Sequence, residues 1–134
     1  MKFEDSVEIA KPQELVYALV RDLENAPQWQ PSLESVDLLA GTEVRRVGGM
    51  RQTMKFFVLD DDPPRRLTIS SEGGPAKARA TFHLEPAGGE GTAVKFTLDV
   101  ELRGAARFAG PIVKSTAQSE VRTTLAKLKE VAER

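Results

Sequence analysis

Residues 3–9 alternate, with Phe3, Val7 and Ile9 on one parity and Glu4, Ser6 and Glu8 on the other. That period of two predicts a half-buried strand. Lys11-Pro12-Gln13-Glu14 then reads as a helix start, with Pro12 at the first helical position and an acid in the first turn. Leu15, Val16, Leu19, Val20 and Leu23 supply the helical apolar stripe. Asp22 to Asn25 is expected to open a second short helix, limited by Pro27 and Pro31.

From Leu33 the period returns to two. Val36, Leu38 and Ala40 oppose Ser35, Asp37 and Leu39, and Gly41-Thr42 reads as a turn. Gly48-Gly49 punctuates the next segment, after which Met50, Met54, Phe56 and Val58 share a parity. Asp60 to Pro64 reads as a turn cluster. Leu67, Ile69 and Ser71 form one face of a further strand, closed by Glu72-Gly73-Gly74-Pro75. Ala78, Ala80, Phe82 and Leu84 alternate with Lys77, Arg79, Thr81 and His83, and Gly88 to Gly91 makes a hairpin turn. Val94, Phe96, Leu98, Val100 and Leu102 give the clearest strand.

After Gly104 the spacing becomes three and four. Phe108, Ile112, Val113, Ala117, Val121, Leu125, Leu128 and Ala132 form the stripe of one long helix, and Pro111 starts it, kinks it or divides it from a preceding turn. Short Gly/Pro turns between strands imply an antiparallel sheet with one covered face. Only the last helix is long enough to cover it. The expected fold class is therefore α+β over residues 1–134 as a single domain. It is a helix-grip fold, a curved antiparallel sheet of about six to seven strands wrapped around a long C-terminal helix, with two short helices after the first strand.

Particular segments sharpen this picture. Val7-Glu8-Ile9-Ala10-Lys11-Pro12-Gln13-Glu14-Leu15-Val16-Tyr17-Ala18-Leu19-Val20-Arg21-Asp22 resembles the opening strand and helix of the START/Bet v 1-like (SRPBCC) superfamily. Asn25-Ala26-Pro27-Gln28-Trp29-Gln30-Pro31-Ser32-Leu33-Glu34-Ser35-Val36 resembles that family's proline- and tryptophan-bearing link. Leu125, Leu128 and Val131 resemble its closing helix. The resemblance covers the whole chain and is closest to small polyketide cyclase/dehydrase-like members. It implies a cavity between sheet and helix. Members bind lipids, hormones, polyketides, quinones or hydrophobic pollutants; some cyclise polyketides, some transport lipids and some present clients to other proteins. No shared catalytic motif comes with it.

Composition narrows the chemistry. There are no cysteines, which excludes disulfides, thiolate zinc and Cys nucleophiles. The single histidine, His83, sits on a polar strand face without convergent partners. Nineteen basic and twenty acidic residues nearly cancel, so no global attraction to phosphate backbones or anionic lipid is expected. No cofactor, no metal, no nucleic acid and no stable membrane insertion are expected. The N-terminus has no apolar signal segment, and the expected location is the cytoplasm.

Candidate ligand contacts follow from parity. Met54, Phe56, Ile69, Phe82, Phe96, Leu98, Phe108 and Ile112 face inward and either line a cavity or fill an ordinary core. Gln52 shares the inward parity and suits a ligand carbonyl, water or backbone. Ser71 and Thr116 are weaker polar candidates on the same side. Trp29 suits a pocket mouth or, more commonly, an anchor for the short helix. Tyr17 points its hydroxyl at a ligand or at water.

The leading expectation is binding of a hydrophobic or aromatic small molecule, lipid, polyketide or quinone-like, with Gln52 and Tyr17 fixing its polar end. A cyclase/dehydrase-type enzyme ranks lower, because parity offers no inward acid or histidine beyond Asp5. Arg45, Arg46 and Arg51 are expected on outer faces. A third reading is a protein-interaction module with a filled core, served by Leu39, Phe57 and Leu59, which also suit a homodimer face.

Overall fold

The computed structural model describes residues 1–47 and 49–134, so the expected punctuation at Gly48 lies outside the described residues. In chain order the elements are β1 (Lys2–Ile9), α1 (Gln13–Arg21), a 3-10 turn (Leu23–Gln28), β2 (Leu33–Asp37), β3 (Thr42–Val47), β4 (Met50–Asp62), β5 (Arg66–Gly73), β6 (Ala76–Ala87) and β7 (Gly91–Leu102). A second 3-10 turn (Gly104–Ala109) leads into α2 (Gly110–Ala132). The seven strands form one antiparallel sheet in the order β1-β7-β6-β5-β4-β3-β2. This is the helix-grip arrangement the alternation implies.

The long helix is held unevenly, and that determines where space remains. Along its C-terminal half Val121, Leu125, Leu128 and Ala132 are buried in the same cluster as Phe3, Ile9, Val16 and Val94. Polar ties pin this end: Lys129 Nζ donates to the Glu8 carbonyl at 2.6 Å, and Ala10 N–H donates to Glu133 at 2.8 Å. Nearer the middle of the helix Glu120 accepts from Ser32, while the residues that begin the helix are largely exposed. Ile112 is 69% exposed and Phe108, just before the helix, is 89% exposed. Pro111, at the second helical position, begins α2 and separates it from the preceding 3-10 turn.

Local departures from the expected pattern have visible causes. β2 stops at Asp37 because that residue's side chain accepts from Ala40 N–H at 3.0 Å and its carbonyl accepts from Gly41 N–H at 2.9 Å. Leu38 and Ala40 therefore belong to a turn. Pro12 precedes α1 as its cap. Leu15 is exposed while Tyr17 is buried, so the apolar stripe of α1 is rotated toward Val16, Tyr17 and Val20.

The acid run expected to be a turn extends β4 to Asp62, with a bulge between Val58 and Asp60. Each acid has a cationic partner: Asp60 pairs with Arg66, Asp61 with Arg21 at 2.9 Å, and Asp62 with Arg65 at 2.9 Å. Phe57 and Leu59 on β4 are exposed, as their outer parity implied, and Leu39 is exposed in the turn after β2.

Tyr17 does not point into the space under α2. Its hydroxyl donates to the Asp61 carboxylate and lies 3.2 Å from the Arg66 carbonyl, tying α1 to the end of β4. Burial, and then the neighbouring Asp61 carboxylate, push the Tyr17 hydroxyl well above the usual tyrosine range. The Tyr17 hydroxyl, and then Arg21, hold the Asp61 carboxyl below the usual aspartate range.

Tyr17→Phe is expected to lower stability by about 1 kcal/mol at neutral pH, as for a partly exposed hydrogen bond to a charged group. The sign with pH follows from the two directions. Asp61's contribution is complete above its ordinary value of roughly 4 and is lost as pH falls through the depressed value. Tyr17's contribution persists below about pH 10 and is lost above it. Urea unfolding of both proteins at pH 7, 5 and 3 checks this; a difference that grows toward pH 3 contradicts it.

Candidate functional site

Under the N-terminal half of α2 lies a cavity of about 200 Å³. One wall is the concave sheet, contributed by Met54, Phe56, Ile69, Ala78, Ala80, Phe82, Phe96, Leu98 and Val100. The helix supplies Ile112, Val113, Thr116, Ala117, Glu120 and Thr124, and the first 3-10 turn supplies Leu23 and Ala26. Small residues at Ala76, Ala78 and Ala80, facing a helix held away from them, leave the centre unfilled. An apolar cavity of about 150 Å³ accepts benzene, so this one is on the scale of one or two rings.

Met54, Phe56, Ile69, Phe82, Phe96, Leu98, Ile112 and Thr116 all line this cavity. Four other marked residues lie outside its wall. Trp29 is 1% exposed and packs edge-on against Phe82, with ring centroids 5.7 Å apart at 81°. It is an anchor, not a gate. Tyr17 is committed to Asp61, as described above. Phe108 is turned to solvent in the second 3-10 turn, none of whose residues is buried. Gln52 lies under the β5–β6 turn, where its amide oxygen is 2.9 Å from the place a side chain at Gly74 would occupy. Ser71 is buried and lines the cavity; Thr116 gives its hydroxyl to the Ile112 carbonyl at 3.0 Å.

The polar end of the cavity is built from residues that parity did not single out. Glu43 on β3 is 5% exposed. Its carboxylate accepts from the Ser71 hydroxyl and from Arg45 at 2.6 and 2.9 Å. Arg45 also donates to Ser32 Oγ at 2.9 Å and to Gln30 Oε1 at 3.0 Å. Ser32 donates through both its hydroxyl, at 2.7 Å, and its backbone N–H, at 3.1 Å, to one oxygen of Glu120 on α2. Glu43, Arg45, Gln30, Ser32, Ser71 and Glu120 all lie on the cavity wall.

Two expectations are thereby corrected. Asp5, the one acid assigned inward by parity, is exposed and accepts from its neighbour Ser6 N–H at 2.8 Å. Arg45 faces inward and Arg46, though exposed, also borders the cavity; Arg51 lies outside it, and Arg46 and Arg51 both pair with Glu34. The inward acid is Glu43. Its segment hides it because Val44 and Val47 have opposite parities and give no period. The register contains the missing signal: β3 pairs with β4 so that Glu43 lies opposite Met54 and Arg45 opposite Gln52. Cross-strand partners share a face, so an inward Met54 requires an inward Glu43.

Among the described residues no cluster of His, Cys, Asp and Glu suited to a metal is present, and no helix is long and apolar enough to cross a membrane.

A seven-stranded grip around a C-terminal helix, hollow beneath its first half, defines a class of ligand-holding folds. Residues 1–133 match the family described as polyketide cyclase / dehydrase and lipid transport, and the chain belongs to it. Among solved structures it is similar to the protein TTHA0849 from Thermus thermophilus, at 26% identity over 98% of this chain and 97% of that one, with a TM-score of 0.79. It is also similar in fold to a START superfamily protein from Mycobacterium smegmatis, at 22% identity over 98% and 97% of the two chains, with a TM-score of 0.84. The Zhui aromatase/cyclase from a Streptomyces strain is 18% identical over 100% of this chain and 94% of that one, with a TM-score of 0.83. No curated protein sequence matches significantly.

Proposed function

We propose that this protein captures one hydrophobic, ring-containing small molecule beneath the first half of α2. The observation that carries the reading is the largely apolar cavity of about 200 Å³ between the sheet and α2. Family membership supports it, because this fold binds hydrophobic ligands. Burial of an apolar surface in such a space supplies affinity at roughly 25 cal/mol per Å². The polar cluster at one end fixes orientation.

A panel of one- to three-ring aromatics and short lipids, screened by thermal shift and native mass spectrometry, tests this. The expected outcome is a one-to-one adduct and a raised melting temperature. A ligand at one hundred times its Kd adds about 2.7 kcal/mol of stability. No adduct and no shift across the panel would overturn the proposal.

One observation favours a second reading, an enzyme of the cyclase/dehydrase sort: Glu43 is a buried carboxylate on the cavity wall. A proton-moving group in an apolar pocket is what that chemistry requires. In that case Glu43→Gln would abolish turnover of a polyketone while leaving its binding within a few-fold.

A further inference from the structure

Exposed apolar groups gather where α2 begins. Phe108 in the second 3-10 turn and Ile112 in the first turn of α2 are both largely exposed. Ile112 also lines the cavity, as do Val113 and, from β3, Val47. It therefore belongs both to the cavity wall and to the surface. Met50, the cross-strand partner of Val47, is exposed too. Register brings these groups to one end of the sheet. Val47 pairs with Met50, Gly73 with Ala76, and Ala76 with Leu102, which leads into the second 3-10 turn.

Charge at the start of α2 is one-sided. Residues 102–119 contain Arg103, Arg107 and Lys114 and no acid, in a chain whose total is nearly balanced. Arg103 is paired with Glu72, and Arg46 and Arg51 share Glu34. Arg107 and Lys114 are exposed and have no carboxylate within ion-pair distance among the described residues.

We propose that this end of the protein docks on an anionic bilayer surface. Phe108 and Ile112 sit among the headgroups, Arg107 and Lys114 lie over lipid phosphates, and the adjoining edge of the cavity faces the lipid. Exposed aromatic and aliphatic groups beside unpaired cations are what interfacial segments present to a membrane. Each cation near an anionic surface raises partitioning roughly fivefold. The contact is peripheral, since no helix among the described residues is long and apolar enough to cross a membrane. A second copy of the chain suits the patch less well, because a two-fold contact would bring two surfaces of the same sign together. Hydrophobic ring compounds concentrate in bilayers for the reason that they enter an apolar cavity, so docking here meets the ligand at its source. The inference rests on the cavity reading for that purpose alone. Docking is measured without ligand, so the two fail separately.

Co-sedimentation of the full chain with sucrose-loaded vesicles tests it. The vesicles are phosphatidylcholine alone or with about 30% phosphatidylglycerol, in about 0.1 M and about 0.5 M salt. At low salt, binding to the anionic vesicles is expected to be at least tenfold stronger than to phosphatidylcholine, and to be lost at high salt. The double variant Arg107→Gln with Lys114→Gln, and the single variant Phe108→Ser, should each weaken it at least fivefold. All three positions are exposed, and circular dichroism confirms the fold. Arg122→Gln with Lys127→Gln removes the same charge from exposed positions further along α2 and should leave binding within twofold. No binding to the anionic vesicles, or equal losses in the two double variants, overturns the proposal. So does a concentration-dependent dimer in analytical ultracentrifugation that Phe108→Ser abolishes, which would assign the patch to a second copy. Vesicle binding as expected, with no adduct from the aromatic panel, would sustain the docking and remove the cavity reading.

Discussion

Trp29→Ala is expected to lose about 3–5 kcal/mol of stability, the range for removing a large aromatic from a filled core. Against a total of about 5–15 kcal/mol for a domain of this kind, that is a large fraction. The melting temperature should fall by roughly 10–20 °C. The indole is 1% exposed and its edge meets Phe82, which meets Phe96 in turn at 4.5 Å and 80°. This aromatic chain fastens the first 3-10 turn to β6 and β7. Edge-to-face pairs add about 0.5–1.5 kcal/mol beyond burial.

The indole N–H has no hydrogen-bond partner among the described residues. Leaving a buried donor unmet costs about 1–3 kcal/mol, and Trp29→Phe removes that cost along with part of the ring. Trp29→Phe is therefore expected to be much milder than Trp29→Ala and to bind ligand within a few-fold of the unmodified protein, since Trp29 is not on the cavity wall. Urea unfolding and ligand titration check both variants. A folded Trp29→Phe protein with binding abolished would restore the gate role.

The architecture was legible because its signals are periodic and redundant. β7 alternates over its length, and the spacing of three and four from Ala117 to Ala132 marks the buried face of α2. The apolar half of the cavity was legible for the same reason: Met54, Phe56, Ile69, Phe82, Phe96 and Leu98 lie on inward parities and all reach the wall.

What escaped depends on pairing between segments. Glu43 and Arg45 are inward only because β3 faces β4 in one register, which no single segment displays. Tyr17 was read by helix position alone. Its partner Asp61 is 44 residues away, at a strand end that three consecutive acids and two prolines made look like a turn. Phe108 and Ile112 fit the helical spacing, yet spacing says nothing of how far a helix end stands off a sheet. The ties from Lys129 to Glu8 and from Glu133 to Ala10 lie at the opposite end of α2.

Ala80→Phe is expected to weaken binding of a ring-sized ligand at least a hundredfold while leaving the fold intact. Ala80 on β6 stands between Ile69 on β5 and Leu98 on β7, and all three lie on the cavity wall. A phenyl ring placed there occupies the space assigned to the ligand. In a solid core the same change would overpack its neighbours and cost about 1–3 kcal/mol. In a real void it fills space and adds apolar contact, the kind of change that commonly adds stability. The two measurements must therefore move independently. The melting temperature should hold or rise, and calorimetric binding of a ring compound identified in the panel should weaken at least a hundredfold. Ala78→Leu, a smaller plug one position along the same face, guards against an unlucky clash and is expected to weaken binding by a lesser factor. A destabilised pair of variants would mean the space beneath α2 is already filled in solution. Stable variants that still bind at full affinity would place the ligand elsewhere on the molecule.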